Sequence, residues 1–287
     1  MTSAPIAIDL FCGLGGWTEG LMAAGYYVVG FDIERHEYEN DRYPAQLVLQ
    51  DVRTLHGAQF RTAALIVASP PCQEFSYMAM PWTRAKQIAR ALRGEDEFPA
   101  GYRGSRTVAD LTALFDACFR IQDKACEAAG RHIPLIVENV RGAEPWVGRA
   151  AWNFGSYYLW GDVPALMPHR VHGRKNPGFR FDGSGRSFQS ESVNRHVAPA
   201  EGYKSRGMNW NNRSLRGQDF TGIAGAQAQV AEGRKGAGAG AEWFDANLCA
   251  LPSSSPRRKA ASARIAKIPS TLSRWIAETY LPIEAAS

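Results

Sequence analysis

The sequence predicts an α/β fold with a parallel sheet, and three observations lead there. Short apolar runs alternate with helix-period stretches over the first 160 residues. A glycine turn, Phe11-Cys12-Gly13-Leu14-Gly15-Gly16, separates the first apolar run from a helical stretch. Each apolar run then ends in a reactive or ionisable residue, as expected where ligands bind at the carboxyl edge of parallel strands.

In chain order, Ile6 to Leu10 reads as the first strand and Trp17 to Ala24 as the helix after the glycine turn. Tyr26 to Phe31 reads as a second strand ending at Asp32-Ile33-Glu34, and Ala45 to Leu49 as a third ending at Gln50-Asp51. Ala64 to Ala68 is a fourth, fully apolar strand that runs into Ser69-Pro70-Pro71-Cys72, and Leu135 to Val137 a fifth that runs into Glu138-Asn139. Helical periodicity spans Val108 to Ala129 between them. Residues 1–160 are therefore read as the main domain. Residues 161–256, rich in Gly, Arg, Asn and Ser with a Gly/Ala run from Gly222 to Ala241, read as a loop-rich, partly low-complexity lobe. Residues 257–287 read as a helical return, with Leu272, Ile276 and Tyr280 on one face.

Composition narrows the function. Of the 287 residues 45% are hydrophobic, enough for one large core and a smaller lobe. No apolar stretch reaches the roughly 18 residues of a membrane span, and Met1 to Pro5 has no basic-then-apolar leader pattern, so a soluble, unprocessed protein is expected. The five cysteines form no C-x-x-C pair, which points away from a disulfide framework or metal site and towards a reducing, cytoplasmic compartment. Net charge is +5, and residues 162–240 hold 12 Lys and Arg against 6 Asp and Glu, so the positive field belongs to that lobe. Such a segment attracts a polyanion, or is simply a solvated basic loop region.

Gly13 and Gly15 let the backbone approach a ligand at a helix amino terminus, and Asp32 stands about 20 residues on, as a ribose acceptor would. Thr18 occupies the third glycine position of a dinucleotide turn, which weakens a nicotinamide reading; a tight packing turn is the alternative. With Phe11 and Asp51 the set describes an adenosine site: a ring face, a ribose acceptor and a carboxylate for the adenine amino group. Cys72 follows two prolines that stiffen its loop, which suits a nucleophile, whereas Cys118 and Cys126 lie in an apolar helix and read as structural. Glu138 ends an apolar strand, where a carboxyl group has either a raised pKa, suiting a proton donor, or a satisfying partner.

These residues resemble the C5-cytosine DNA methyltransferases, in a divergent form like that of phage or prophage members. Asp9-Leu10-Phe11-Cys12-Gly13-Leu14-Gly15-Gly16 is similar to the family's cofactor motif, Ser69-Pro70-Pro71-Cys72-Gln73-Glu74-Phe75-Ser76 to its nucleophile motif, and Val137-Glu138-Asn139-Val140 to its glutamate motif, in the family's order and spacing. The resemblance implies a Rossmann-like S-adenosylmethionine-dependent sheet with a small target-recognition lobe over residues 161–256. It implies that S-adenosylmethionine contacts Phe11, Gly13, Leu14, Gly15, Asp32, Ile33, Asp51 and Pro71, and that Cys72 adds to C6 of a flipped-out cytosine while Glu138 engages N3. It also implies nucleic-acid contacts by Pro71, Gln73, Ser76 and Asn139, with Arg84, Lys86, Arg90 and Arg93 on a mobile loop reaching phosphates.

Two family elements are altered. Asn153 to Gly161 stands where Gln-x-Arg-x-Arg is usual, leaving Arg149 as the replacement, and Ile265-Ala266-Lys267-Ile268-Pro269 stands for Gly-Asn-x-Val-Pro. The expected partner is double-stranded DNA in a bacterial or phage-infected cell, at the nucleoid, with the enzyme a monomer and no metal involved; a cognate restriction endonuclease is left open. The alternatives are a transfer RNA cytosine-5 methyltransferase and a DNA-binding regulatory homologue without catalysis. Transfer of a modified one-carbon group is a further option.

Overall fold

A computed structural model describes residues 4–39, 41–76, 82–97, 107–154, 157–167 and 254–282. The chain divides into two compact units, residues 1–168 with 267–287, and residues 169–266. Of the second unit the described part is a helix, α5 (Pro256–Ala266). Most of the lobe read as target-recognising, including the Gly/Ala run, lies outside the described residues.

The first unit is built on one seven-stranded sheet. Its strands are β1 (Ile6–Leu10), β2 (Tyr27–Asp32), β5 (Gln46–Leu49), β6 (Ala63–Ala68), β7 (Leu135–Asn139), β8 (Trp152–Phe154) and β9 (Tyr157–Gly161), in the order β5-β2-β1-β6-β7-β9-β8. Every pairing from β5 to β7 is parallel, and β9 runs antiparallel to both neighbours. The parallel sheet read from the sequence is therefore present. The β8–β9 hairpin, passed over in the sequence, completes it.

Both faces of the sheet are covered, which explains why the strands read as continuous apolar runs. Ile8, Leu10, Ile66, Leu135 and Val137 face a core shared with Phe115, Cys118, Ile121 and Ala125 of α3 (Val108–Ala129). Their alternating neighbours Ala7, Leu65, Val67 and Ile136 face Trp17 and Leu21 of α1 (Gly16–Ala23) and Leu272, Ile276 and Ala277 of α6 (Ser270–Tyr280). The start of α3 is fixed by a capping box in which Thr107 Oγ1 accepts from the Asp110 amide and the Asp110 carboxylate accepts from the Thr107 amide; Gly130, at φ 63°, ends it.

The terminal helix returns to the core because α1 has no side chain in the way. A Cβ on Gly20 would lie 2.4 Å from the Arg274 amide nitrogen and 2.2 Å from Ser273 Oγ. Gly20→Ala is expected to destabilise the fold by about 1–3 kcal/mol, because backbone must move to admit one methyl. Urea unfolding checks this, and an unchanged midpoint would contradict the close packing.

Two further elements differ from the sequence reading. A small hairpin, β3 (Glu37–Tyr38) with β4 (Asp41–Arg42), lies in the connection between β2 and β5 and carries Tyr43 across Gly30. The segment with Arg84, Lys86 and Arg90 is a helix, α2 (Trp82–Leu92), not a loop. Ala85, Ile88 and Leu92 make an apolar stripe that packs near Trp146, and the three basic residues of the helix mask that stripe in the sequence.

One buried carboxyl group sets a pH dependence. Asp9 lies on β1 with almost no exposure, and its Oδ2 accepts from Thr18 Oγ1 at 2.6 Å. Burial, only partly offset by that hydrogen bond, raises its pKa from 3.8 to about 7. The folded state thus holds the proton more tightly than the unfolded chain does. Stability from this group is full below pH 4 and is lost as pH rises to 7. Asp9→Asn, neutral at every pH, is expected to be more stable than wild type above pH 7 by on the order of 4 kcal/mol, with the two converging near pH 4. Parallel urea midpoints for the two proteins between pH 5 and 8 would refute it.

Candidate active site

The carboxyl ends of β1, β2, β5, β6 and β7 bring the sequence-derived residues to one edge of the sheet. After β1 the chain turns sharply: Phe11 adopts a left-handed φ of 57°, and Gly13 and Gly15 have φ of 49° and 78°. A phenylalanine in this region is uncommon and costs energy. The turn closes with the Gly15 amide donating to the Cys12 carbonyl at 2.7 Å, leaving Gly15 as the amino-terminal cap of α1.

Asp32, at the end of β2, faces this turn. Its Oδ2 accepts from the Gly13 amide at 3.0 Å and its Oδ1 from the Glu34 amide at 3.2 Å, with His36 Nε2 3.8 Å from Oδ1. Burial pushes this carboxyl group up, but hydrogen bonding by His36 and the two amides outweighs it and holds the pKa below the usual range. Asp32 is thus a fixed anion beside a glycine turn. His36, not singled out in the sequence, also lines a concavity with Arg35, Arg42 and Tyr43.

Next to Asp32, Ile33 is 74% exposed, and Leu49, its neighbour across the pairing of Asp32 with Leu49, is 52% exposed. Two bare aliphatic residues at adjacent strand ends suit the face of a flat ring. Leu49 was missed in the sequence because it reads as the last core position of a strand. Asp51 lies just beyond, where it caps a short 3₁₀ turn and is gripped by its neighbour Arg53 at 2.6 Å. That hydrogen bond keeps its pKa low.

The loop that carries Cys72 is clamped from three sides. The Ser69 amide donates to the Leu10 carbonyl at 3.1 Å, the Trp17 indole N–H donates to Ser69 Oγ at 2.9 Å, and Asn139 Nδ2 donates to the Pro70 carbonyl at 2.9 Å. Cys72 follows, half-buried, and its carbonyl accepts from the Phe75 and Ser76 amides in a helical turn. Pro71 is exposed, while Gln73 and Ser76 are half-buried. Gly142 has no room for a side chain, since a Cβ there would lie 2.0 Å from the Phe75 carbonyl oxygen, so the loop after β7 presses on the loop after β6.

Glu138 is 2% exposed and stands beside Asn139, which is fully buried. Glu138 pairs with Leu159 of β9, and Tyr157, two residues along, shares its face of the sheet. Burial first, then the nearby Glu138 charge, pushes the Tyr157 phenol pKa far up, and its hydroxyl donates to the Lys267 carbonyl at 3.0 Å. Thus β9 brings a neutral phenol to the region where an arginine element was missing from the sequence. Arg149 is exposed in the connection between α4 (Glu144–Val147) and β8. Arg84 is 6% exposed on α2, while Lys86 is exposed on the same helix. Lys267 and Ile268, in the altered terminal element, pack on Gly16 at the start of α1: a Cβ there would lie 2.4 Å from the Ile268 amide nitrogen. Among the described residues no His, Cys, Asp and Glu group could hold a metal ion, and no helix is long and apolar enough to cross a membrane.

A seven-stranded sheet in this order, with one reversed strand and a glycine turn after β1, is a Rossmann-like α/β sheet. Residues 6–84 match the family described as C-5 cytosine-specific DNA methylase. The matched stretch runs from β1 through the loop that carries Cys72 into α2. No curated protein sequence matches the chain.

Among solved structures, a protein described as a DNA modification methyltransferase encoded within an E. coli prophage is 20% identical, over 49% of this chain and 33% of its own, at a TM-score of 0.29. A mutant of DNMT2 from Spodoptera frugiperda is 18% identical, over 49% of this chain and 37% of its own, at 0.27. The methyltransferase EhMeth of Entamoeba histolytica is 12% identical over 98% of both chains, at 0.41. The chain thus spans about a third of the length of the first two proteins.

Proposed function

We propose that the protein is an S-adenosylmethionine-dependent methyltransferase that modifies carbon 5 of cytosine in double-stranded DNA through a covalent adduct with Cys72. The observation that carries this reading is the clamp of the Ser69–Pro70 backbone to Asn139, the residue after Glu138. It ties a thiol and a buried carboxyl group, 66 positions apart in the sequence, to adjoining strand ends beside the Gly13–Asp32 pair.

The residues fit the cofactor. The glycine turn admits its backbone-like methionyl part, Asp32 offers a fixed anion to ribose hydroxyls, and Ile33 and Leu49 offer an aliphatic platform to adenine. When bound, S-adenosylmethionine supplies an electrophilic methyl group. The Cys72 thiolate adds to C6 of the base while Glu138, as the acid, hydrogen-bonds or protonates N3, so that C5 becomes the nucleophile. Loss of the C5 proton to a base then drives elimination of Cys72 and restores the aromatic ring. Both ring carbons are inaccessible within a stacked duplex, so the target base is taken out of the helix.

The test is incubation with methyl-labelled S-adenosylmethionine and, separately, duplex DNA or transfer RNA, followed by nucleoside mass spectrometry. Labelled 5-methylcytosine in DNA is expected. Label confined to RNA would move the substrate to transfer RNA, and cofactor binding without transfer to either would leave a regulatory protein or a different one-carbon donor.

A further inference from the structure

The first turn of α1 links the glycine turn to several other segments of the first unit. Gly16 packs on the Ile268 backbone, Trp17 donates to Ser69, Thr18 donates to Asp9 and shares a 2.7 Å hydrogen bond with Tyr43, and Glu19 is ion-paired with Lys267. Those of Gly16, Thr18 and Glu19 tie α1 to the scaffold. The Trp17 contact is different, because its partner sits three residues before Cys72.

Ser69 and Pro70 are held by three hydrogen bonds. Two come from the sheet: the Ser69 amide to the Leu10 carbonyl, and the Asn139 amide group to the Pro70 carbonyl. The third comes from the Trp17 indole, which belongs to the helix that begins at the glycine turn. Trp17 is 2% exposed, packed in the core formed by α1, α6 and the sheet. Filling that space needs only an aromatic ring. The indole N–H adds a directed bond, and a buried N–H of this kind requires its acceptor.

We propose that Trp17 is a positioning residue that couples occupancy of the Gly13–Gly15 turn to the setting of the Cys72 loop. A ligand seated on the turn bears on the amino terminus of α1, and a rigid indole lying one residue inside that helix passes the bias to Ser69 and on through two prolines, which transmit rather than absorb it. The coupling is reciprocal, so a ligand that engages Cys72 changes the hold on the cofactor by the same factor. This inference rests on the cofactor site proposed above.

The test measures Cys72 directly and needs no methyl transfer. Full-length protein is alkylated with iodoacetamide, with and without saturating S-adenosylhomocysteine, and the rate at Cys72 is read by peptide mass spectrometry, with buried Cys12 and Cys118 as internal references. Binding of S-adenosylhomocysteine is confirmed beforehand by calorimetry. The wild-type rate is expected to change by about two- to tenfold on binding, the range a single hydrogen bond supports. Trp17→Phe, and independently Ser69→Ala, are expected to lose that change while still binding S-adenosylhomocysteine. Wild type that binds without any change in rate, or variants that keep the wild-type change, would overturn the coupling. Should Trp17→Phe fail to fold, Ser69→Ala decides alone. Absence of binding by wild type would instead strike at the cofactor reading.

Discussion

Cys72→Ala is expected to abolish methyl transfer, lowering the rate by on the order of 10⁴-fold or more, while S-adenosylmethionine still binds with its affinity nearly unchanged. Without a thiol no adduct forms at C6, and C5 of cytosine is too poor a nucleophile to take a methyl group unaided. The cofactor groups lie on other strand ends, at Gly13 and Asp32, and the loop itself is held through Ser69 and Pro70 rather than through the cysteine side chain. Calorimetry with the cofactor, beside labelled methyl transfer, separates the two effects. Residual transfer above about a tenth of wild type would refute a covalent role for Cys72.

Glu138→Gln is expected to lower kcat by about 10²- to 10³-fold, again with cofactor affinity preserved. Glutamine matches the shape of glutamate and can still reach N3, but it has no acidic proton to deliver there. The site around it is nearly closed to solvent, with Leu159 opposite and Tyr157 on the same face, so water is poorly placed to substitute. The fold should tolerate the exchange, because glutamine fills the same volume as glutamate and keeps a polar end group. Activity within threefold of wild type would assign Glu138 to architecture rather than chemistry.

The parallel core was legible because its strands are buried on both faces and read as unbroken apolar runs, as in Ala64 to Ala68 and Leu135 to Val137. Cys72, Glu138 and Asp32 stood out as polar interruptions at the ends of those runs. Other features were illegible for physical reasons. The stripe Ala85, Ile88 and Leu92 is diluted by arginine and lysine on the exposed side, so α2 passed for a loop. Tyr157 looked like one aromatic residue among several, although the register of β9 puts it beside Glu138. Thr18 counted only against a nicotinamide reading, yet its hydroxyl is the partner that buried Asp9 needs. The clamps on Ser69 and Pro70 join residues 52 and 69 positions apart, which no local pattern can reveal.

The left-handed backbone at Phe11 also limits how far this protein can be improved as a scaffold. Glycine there would relieve roughly 1–3 kcal/mol of conformational strain, but only by giving up the ring. The ring that glycine discards is packed against the main core at the mouth of the candidate cofactor site. Backbone comfort and ring packing therefore pull this single position in opposite directions, and a chain that keeps the ring keeps the strained turn with it.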